Sequence, residues 1–279
     1  MSSPIASDRL QFPGVDLIPK GMSRRLTAPL RSSLGCALAA LDQAEITVPD
    51  GIHYGTGLGC LTDTEAFIRE IDTNEGGLLS PTSFMRSTHN TVAGLLALAL
   101  KATGPNLTYS QGLFSLHGAL LSARLHFLED QQARVLAGAS DEYIPLLDDL
   151  ANTLLPSLTK VVRPELREGA GFVVLGSVQG VIPVRITEVW TGSADLAPRV
   201  MHGPMDLVIL GPHWPKGPLP HSPAGCRTIH QQELSGVHQS VPAQSLVHAV
   251  DLIRSGEVSS VWISDREQDR AGLIHVERC

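Results

Sequence analysis

Apolar and polar positions alternate along this chain with two different periods, and the changeovers mark its elements. Leu26, Leu30, Leu34, Leu38 and Leu41, with Ala37 beside them, recur at helical spacing and predict an amphipathic helix over Thr27 to Asp42, behind a Pro- and Gly-containing arm. Ile52 to Leu58 predicts a strand running into Gly55-Thr56-Gly57-Leu58-Gly59. From Val92 to Leu100 the pattern is apolar all round, with Thr91 as the expected N-cap, and such a helix belongs inside a large domain, packed on every side. Gly104-Pro105-Asn106 stops it. Leu107 to Ser110 predicts a short strand, and Gln111-Gly112-Leu113-Phe114-Ser115 bends sharply into a second helix, Leu116 to Glu129.

Beyond Glu142 the pattern predicts a helix within Ile144 to Leu158, then strands at Gly171 to Leu175 and Val181 to Val189. Ala194 to His230 is rich in Pro, Gly and His and carries one clear strand, Met205 to Leu210. A helix over Pro242 to Ser255 and strands at Val258 to Ser264 and Leu273 to Glu277 close the chain. Helix followed by strand ending in Ser-Asp occurs twice, as RVLAGASD up to Asp141 and as SVWISD up to Asp265. Repeated helix and strand give an α/β class, and the echo suggests two related halves.

The chain has 279 residues, 43% of them hydrophobic, enough for one large α/β domain or two small ones. Its formal charge of -7 argues against nucleic acid as a partner, because phosphate binding needs clustered Lys and Arg. Lys20, Arg24, Arg25 and Arg31 do gather at the start of the first helix; they read as a solvated face or as a landing site for an acidic carrier protein. The four cysteines, at 36, 60, 226 and 279, form no CxxC pair and suit reduced thiols in a cytoplasmic protein. MSSPIASDRL has no signal-peptide pattern, and the nine-residue run Val92 to Leu100 is too short for a membrane span.

Motifs with chemistry are few. Gly55-Thr56-Gly57-Leu58-Gly59 does not fit G-x-G-x-x-G, so no cofactor is expected, and no G-x-S-x-G elbow occurs. His213, His221, Cys226 and His230 have tetrahedral-ligand chemistry but match no tight knuckle, so no metal is expected. His89 reads as a capping or packing residue, and Ser110 and Ser115 are serines without an assigned base.

The strand-to-helix bend after Gly104-Pro105 resembles that of the β-ketoacyl synthase family, in which a cysteine opens a buried helix nine places after the Gly and two before a Ser. Here that slot holds Leu113, and no cysteine lies between Cys60 and Cys226. A thiolate at a helix N-terminus is nucleophilic, whereas leucine cannot attack a thioester. Arg24-Arg25-Leu26, Gly55 to Cys60, Ser87 to Gly94 and Ala137 to Glu142 carry the same resemblance. It implies a thiolase-like five-layered α/β/α/β/α sandwich in one domain, with approximate halves 22–175 and 176–279 and the second half pared down. It also implies a chain-length-factor type of subunit that pairs with an active ketosynthase and meets an acyl carrier protein bearing a phosphopantetheine-bound acyl chain. Gln111, Gly112, Leu113, Phe114 and Ser115 then border the acyl cavity or the interface. His213 and His238 are the carry-over candidates for the two synthase histidines. Asp265 to Gly272, DREQDRAG, falls where the family has a Phe- and Gly-rich gating loop. Two other readings stay open: a self-sufficient acyltransferase or condensing enzyme without a cysteine, and an acyl-binding scaffold.

Overall fold

The computed structural model describes residues 12–74, 76–154, 166–177, 184–214, 223, 225–231 and 235–279. They form two sheets of like topology. The first contains β1 (Gly51–Gly55), β2 (Asn106–Tyr109), β3 (Arg134–Asp141) and β4 (Gly169–Gly176) in the order β2-β1-β3-β4. Its central strand β1 is parallel to both neighbours, and β4 runs antiparallel to β3. The second contains β5 (Val184–Ser193), β6 (Leu207–Leu210), β7 (Arg227–His230), β8 (Ser260–Glu267) and β9 (Arg270–Arg278) in the order β5-β9-β8-β6-β7. Here β6 is parallel to β7 and β8, while β9 is antiparallel to β8 and β5. In this pattern β6 corresponds to β1, β7 to β2, β8 to β3 and β9 to β4.

The helices fill the spaces between. α1 (Lys20–Ser23) is one turn, and α2 (Ala28–Gln43) lays Leu30, Leu34 and Leu38 against Ile52, Tyr54, Leu136 and Phe172 of the first sheet. α3 (Leu61–Thr73) and α4 (Pro81–Arg86) leave Ile68, Ile71, Phe84 and Met85 exposed, and α5 (Thr91–Leu100) joins α2 on the outer face. α6 (Ser115–Glu129) is followed by α7 (Pro145–Leu154), the four-residue α8 (Ala197–Val200) and α9 (Val241–Ser255). Leu116 and Leu120 of α6 and Leu246 and Ala249 of α9 share one core with residues of both sheets, including Ala137, Ala139, Leu207, Ile209 and Ile263. α6 and α9 are therefore the middle layer. On the far side of the second sheet, Val208, Leu210, Trp262 and Leu273 pack with Ala197 of α8. β6 alternates Leu207 and Ile209 toward one core with Val208 and Leu210 toward the other, which is why a strand buried on both faces reads as an unbroken apolar run. The layers run α/β/α/β/α, the fifth thinner than the first.

Three expectations change. α5 is not packed on every side: Val92, Ala93 and Leu96 are buried, but Leu98 is 73% exposed, because only one face of the helix rests on α2 and the first sheet. Thr91 lies inside that helix, after Asn90, and its hydroxyl turns back to the carbonyls of Met85, Arg86 and Thr88 instead of capping. Asp265 to Gly272 is not an open loop. It is the tip of an antiparallel hairpin in which Gln268 takes a left-handed φ of 55°. The expected strand Val181 to Val189 is seen from Val184, its first three residues lying outside the described residues, as do 155–158 of the helix sought within Ile144 to Leu158.

Candidate functional site

The bend between β2 and α6 is built from backbone outward. Gly112 adopts φ 56°, a conformation that costs glycine little, and the amides of Phe114 and Ser115 donate back to the carbonyls of Gln111 and Gly112 at 3.2 Å each. Ser115 ties the bend: its hydroxyl accepts from the Gln111 amide at 2.9 Å and lies 2.6 Å from the Gly112 carbonyl and 3.0 Å from that of Thr56. With its single proton committed to carbonyls and no base beside it, Ser115 is a structural hydroxyl rather than a nucleophile. Ser110 is exposed. Leu113 and Phe114 are buried at 2% and 1% exposure, Gly112 is half-buried and Gln111 faces solvent. The slot at the head of α6 thus carries an enclosed hydrocarbon side chain.

The two carry-over histidines have different surroundings. His238 is buried, with Nδ1 2.8 Å from Ser240 Oγ and Nε2 3.0 Å from Gln244 Oε1. Ser240 gives its own proton to the Gly169 carbonyl at 2.9 Å, so it accepts from His238 Nδ1. Burial pushes the ring down to about 4, which keeps it neutral; with its proton on Nδ1, Nε2 accepts, and the Gln244 side-chain amide meets it through its NH2 group. His213 sits in an exposed turn after β6 with φ 73°. The side chains that do approach Gly112 are Gln239 and Glu267: a methyl added at Gly112 would lie 3.7 Å from Gln239 Oε1 and 3.5 Å from Glu267 Oε2.

A histidine that sequence reasoning missed lies directly behind the bend. His117, one turn beyond Leu113, is fully buried, and burial pushes it down to about 3. Its Nε2 is 3.7 Å from Asp265 Oδ2, an equally buried carboxyl that burial raises well above its usual range. Neither side chain has a hydrogen-bond partner among the described residues. The one available signal was the i, i+4 spacing from Leu113, which places His117 on the same face of α6. His221 of the cysteine-histidine set lies outside the described residues, and among those described no group of three His, Cys, Asp or Glu could hold a metal. Cys36 and Cys60 are buried free thiols, each pushed up to about 12 by burial. No helix among the described residues is long and apolar enough to cross a membrane.

Comparison with known proteins follows the same lines. The family model of the β-ketoacyl synthase N-terminal domain matches residues 2–150, just over half of the chain. No curated protein matches the sequence. Among solved structures, the ishigamide ketosynthase/chain length factor superposes with a TM-score of 0.70 at 16% identity, over 93% of this chain and 83% of that one. The ketosynthase ApeO in complex with its chain length factor ApeC, from Xenorhabdus doucetiae, gives 0.56 at 17% identity, over 94% and 82%. A β-ketoacyl synthase from Burkholderia phymatum STM815 gives 0.68 at 13%, over 94% and 85%. At these identities the likeness is one of fold, the thiolase-like architecture.

Proposed function

The chain belongs to the β-ketoacyl synthase family, and on that premise we propose that it is a non-acylating subunit of the chain-length-factor type, pairing with a cysteine-bearing ketosynthase in polyketide-type or aryl polyene-type assembly. The observation that carries this reading is Leu113, buried at the head of α6 where an acyl-accepting thiol would have to stand. His238, held neutral and engaged on both nitrogens, supports it, since a working acid or base needs a nitrogen free to exchange a proton with substrate. So does the edge of the first sheet. Among the described residues β2 is paired on one side only, α5 and α6 pack against it, and Leu107 of β2, Leu98 of α5 and Leu125 and Leu128 of α6 are exposed. An open, apolar-bordered edge is a hazard for a monomer and a ready surface for a second subunit. In this reading the elbow Gln111 to Ser115 borders the shared acyl cavity, and an acyl carrier protein delivers the chain to the partner.

The test is co-expression with candidate ketosynthases followed by light scattering, and intact mass measurement after incubation with acyl carrier thioesters. The expected result is a complex with one copy of each subunit and an unchanged mass for this chain. Stoichiometric acylation at Ser110 or Ser115 would overturn the proposal in favour of a cysteine-free acyltransferase. Failure to associate with any ketosynthase would favour an acyl-binding scaffold.

A further inference from the structure

Asp265 to Gly272, which the resemblance likened to a gating loop, is held too firmly to swing. β8 and β9 pair residue for residue from Ser260 with Glu277 to Glu267 with Arg270, so only Gln268 and Asp269 form the connection. β9 is also paired along its other side with β5, as far as Ser193 with Arg270, and the Ala194 amide donates to the Asp269 carbonyl at 2.7 Å. The hairpin tip therefore lacks the free backbone that a mobile loop needs.

It also lies on the elbow. The Arg270 guanidinium stands 5.0 Å above the centre of the Phe114 ring. Glu267 approaches Gly112, as described above. Gly272 packs so closely behind them that an added methyl would meet His117 Nε2 at 2.6 Å and Phe114 Cδ1 at 2.8 Å. Asp265, the residue paired with Gly272, faces His117 from the same strand pair. The hairpin thus meets the elbow and the first turn of α6 at Gly112, Phe114 and His117, and its Ala271, Gly272 and Leu273 are buried.

We propose that the β8–β9 hairpin is a fixed plug over the elbow, so that this subunit has no acyl-admitting mouth of its own there. The closure is a property of the isolated chain; that it would shut out an acyl group rests on the function proposed above.

The experiment places a thiol under the plug. Leu113→Cys in the full chain is alkylated with iodoacetamide and followed by peptide mass spectrometry, with exposed Cys279 as the fast reference and buried Cys36 as the slow one. The thiol at position 113 is expected to react about 100-fold more slowly than Cys279, and to gain about 10-fold when Glu267→Gly and Arg270→Gly loosen the tip, or when Gly272→Ala wedges it away from His117. Reaction within a few-fold of Cys279 with the hairpin intact overturns the plug, and so does a rate that the hairpin variants leave unchanged. If Leu113→Cys does not fold, amide hydrogen exchange at Leu113 to Leu116 in the wild-type chain and in the hairpin variants decides instead. Protection that falls in the variants supports closure, and amides unprotected in the wild type refute it. Light scattering with a ketosynthase is run on the same variants, so that a failed plug and a failed pairing are read from separate signals.

Discussion

β3 ends in Ser140-Asp141 and β8 carries the same dipeptide as Ser264-Asp265, at corresponding places in two sheets of like topology, and the two pairs are treated in opposite ways. Asp141 Oδ1 accepts from the Thr56 hydroxyl at 2.8 Å and from the amides of Gly57 and Leu58 at 2.9 and 2.8 Å. Neither oxygen of Asp265 has a hydrogen-bond partner among the described residues. Ser140 Oγ meets the Tyr54 hydroxyl at 2.8 Å, whereas Ser264 Oγ meets nothing described. The difference comes from the neighbouring loops. After β1 the chain reads Thr56-Gly57-Leu58, a hydroxyl and two amides turned inward. At the end of β6 the corresponding residues are Leu210-Gly211-Pro212, where Leu210 has a hydrocarbon side chain in place of the hydroxyl and Pro212 has no N–H. Gly211 crowds Asp265, its would-be Cβ only 2.1 Å from Oδ1, yet its amide is spent on the Ser264 carbonyl at 3.0 Å. A repeated Ser-Asp thus marks the fold's repeat, and the donors opposite decide what each aspartate is worth.

The largest effect expected from this contrast is on stability. Asp141→Ala should cost about 3 kcal/mol or more, because it strands the buried Thr56 hydroxyl and two part-buried amides. Asp265→Leu, similar in volume and apolar, should be neutral or stabilising at pH 7, because it removes a buried group with no bonds to lose. Urea denaturation of the two variants checks both. A loss for Asp265→Leu as large as that for Asp141→Ala would break the comparison.

A smaller effect should appear with pH. Burial raises Asp265 well above its usual range and, outweighing its hydrogen bonds, raises Asp141 to about 7. A carboxyl whose folded pKa is raised keeps a proton that the unfolded chain gives up, so the stability it contributes is full below the unfolded value and is lost as pH rises toward the folded one. The advantage of Asp265→Leu over the wild type should therefore grow as pH rises above the ordinary carboxylate value, by at most about 1.4 kcal/mol per unit. His53 and His238, each pushed down to about 4 by burial, act in the opposite sense, losing stability as pH falls below the usual histidine value. They are common to both proteins and cancel in the difference. Denaturation midpoints at three pH values test the slope; a flat difference would mean that Asp265 ionises in the folded chain as easily as in the unfolded one.

The contrast also shows what could be read from the chain. The apolar run of β6, the leucine spacing of α2 and the sharp bend into α6 carry local signals, and each element formed close to its expected place. Leu113 in the slot was legible because it depends only on counting from Gly104 to Ser115. α3 was not, and no residue of it is buried in the core that the other helices share. β7 lies in a Pro-, Gly- and His-rich stretch and is a strand because β6 offers it an edge, a tertiary cause. The helix with the most apolar sequence, α5, proved to be an outer one, while the two central helices carry Ser, His and Gln among their apolar positions. Hydrophobicity reported how much of α5 can be covered, and the free chain covers only part of it. His117 and Gln239 carried no motif, and their place behind and above the elbow follows from how α6 and α9 meet the hairpin.

The smallest expected effect separates the two serines. Tyr54 is fully buried, and its hydroxyl is within reach of both Ser140 Oγ, at 2.8 Å, and the Ser140 carbonyl, at 3.1 Å. Ser140→Ala removes the first partner and leaves the second, so the tyrosine proton stays satisfied and the cost should be about 0.5–1 kcal/mol rather than a full desolvation penalty. Ser264→Ala removes a hydroxyl that is wholly buried and meets no described partner, so it should leave stability within about 0.5 kcal/mol or raise it. Replacing a small polar side chain by a smaller apolar one opens almost no cavity in either strand, which keeps packing out of the comparison. Guanidinium denaturation resolves differences of this size when the slopes of the two variants agree. A cost for Ser264→Ala equal to that for Ser140→Ala would show that the second strand end is as well satisfied as the first, and the asymmetry drawn from Asp265 would have to be sought in the carboxylate alone.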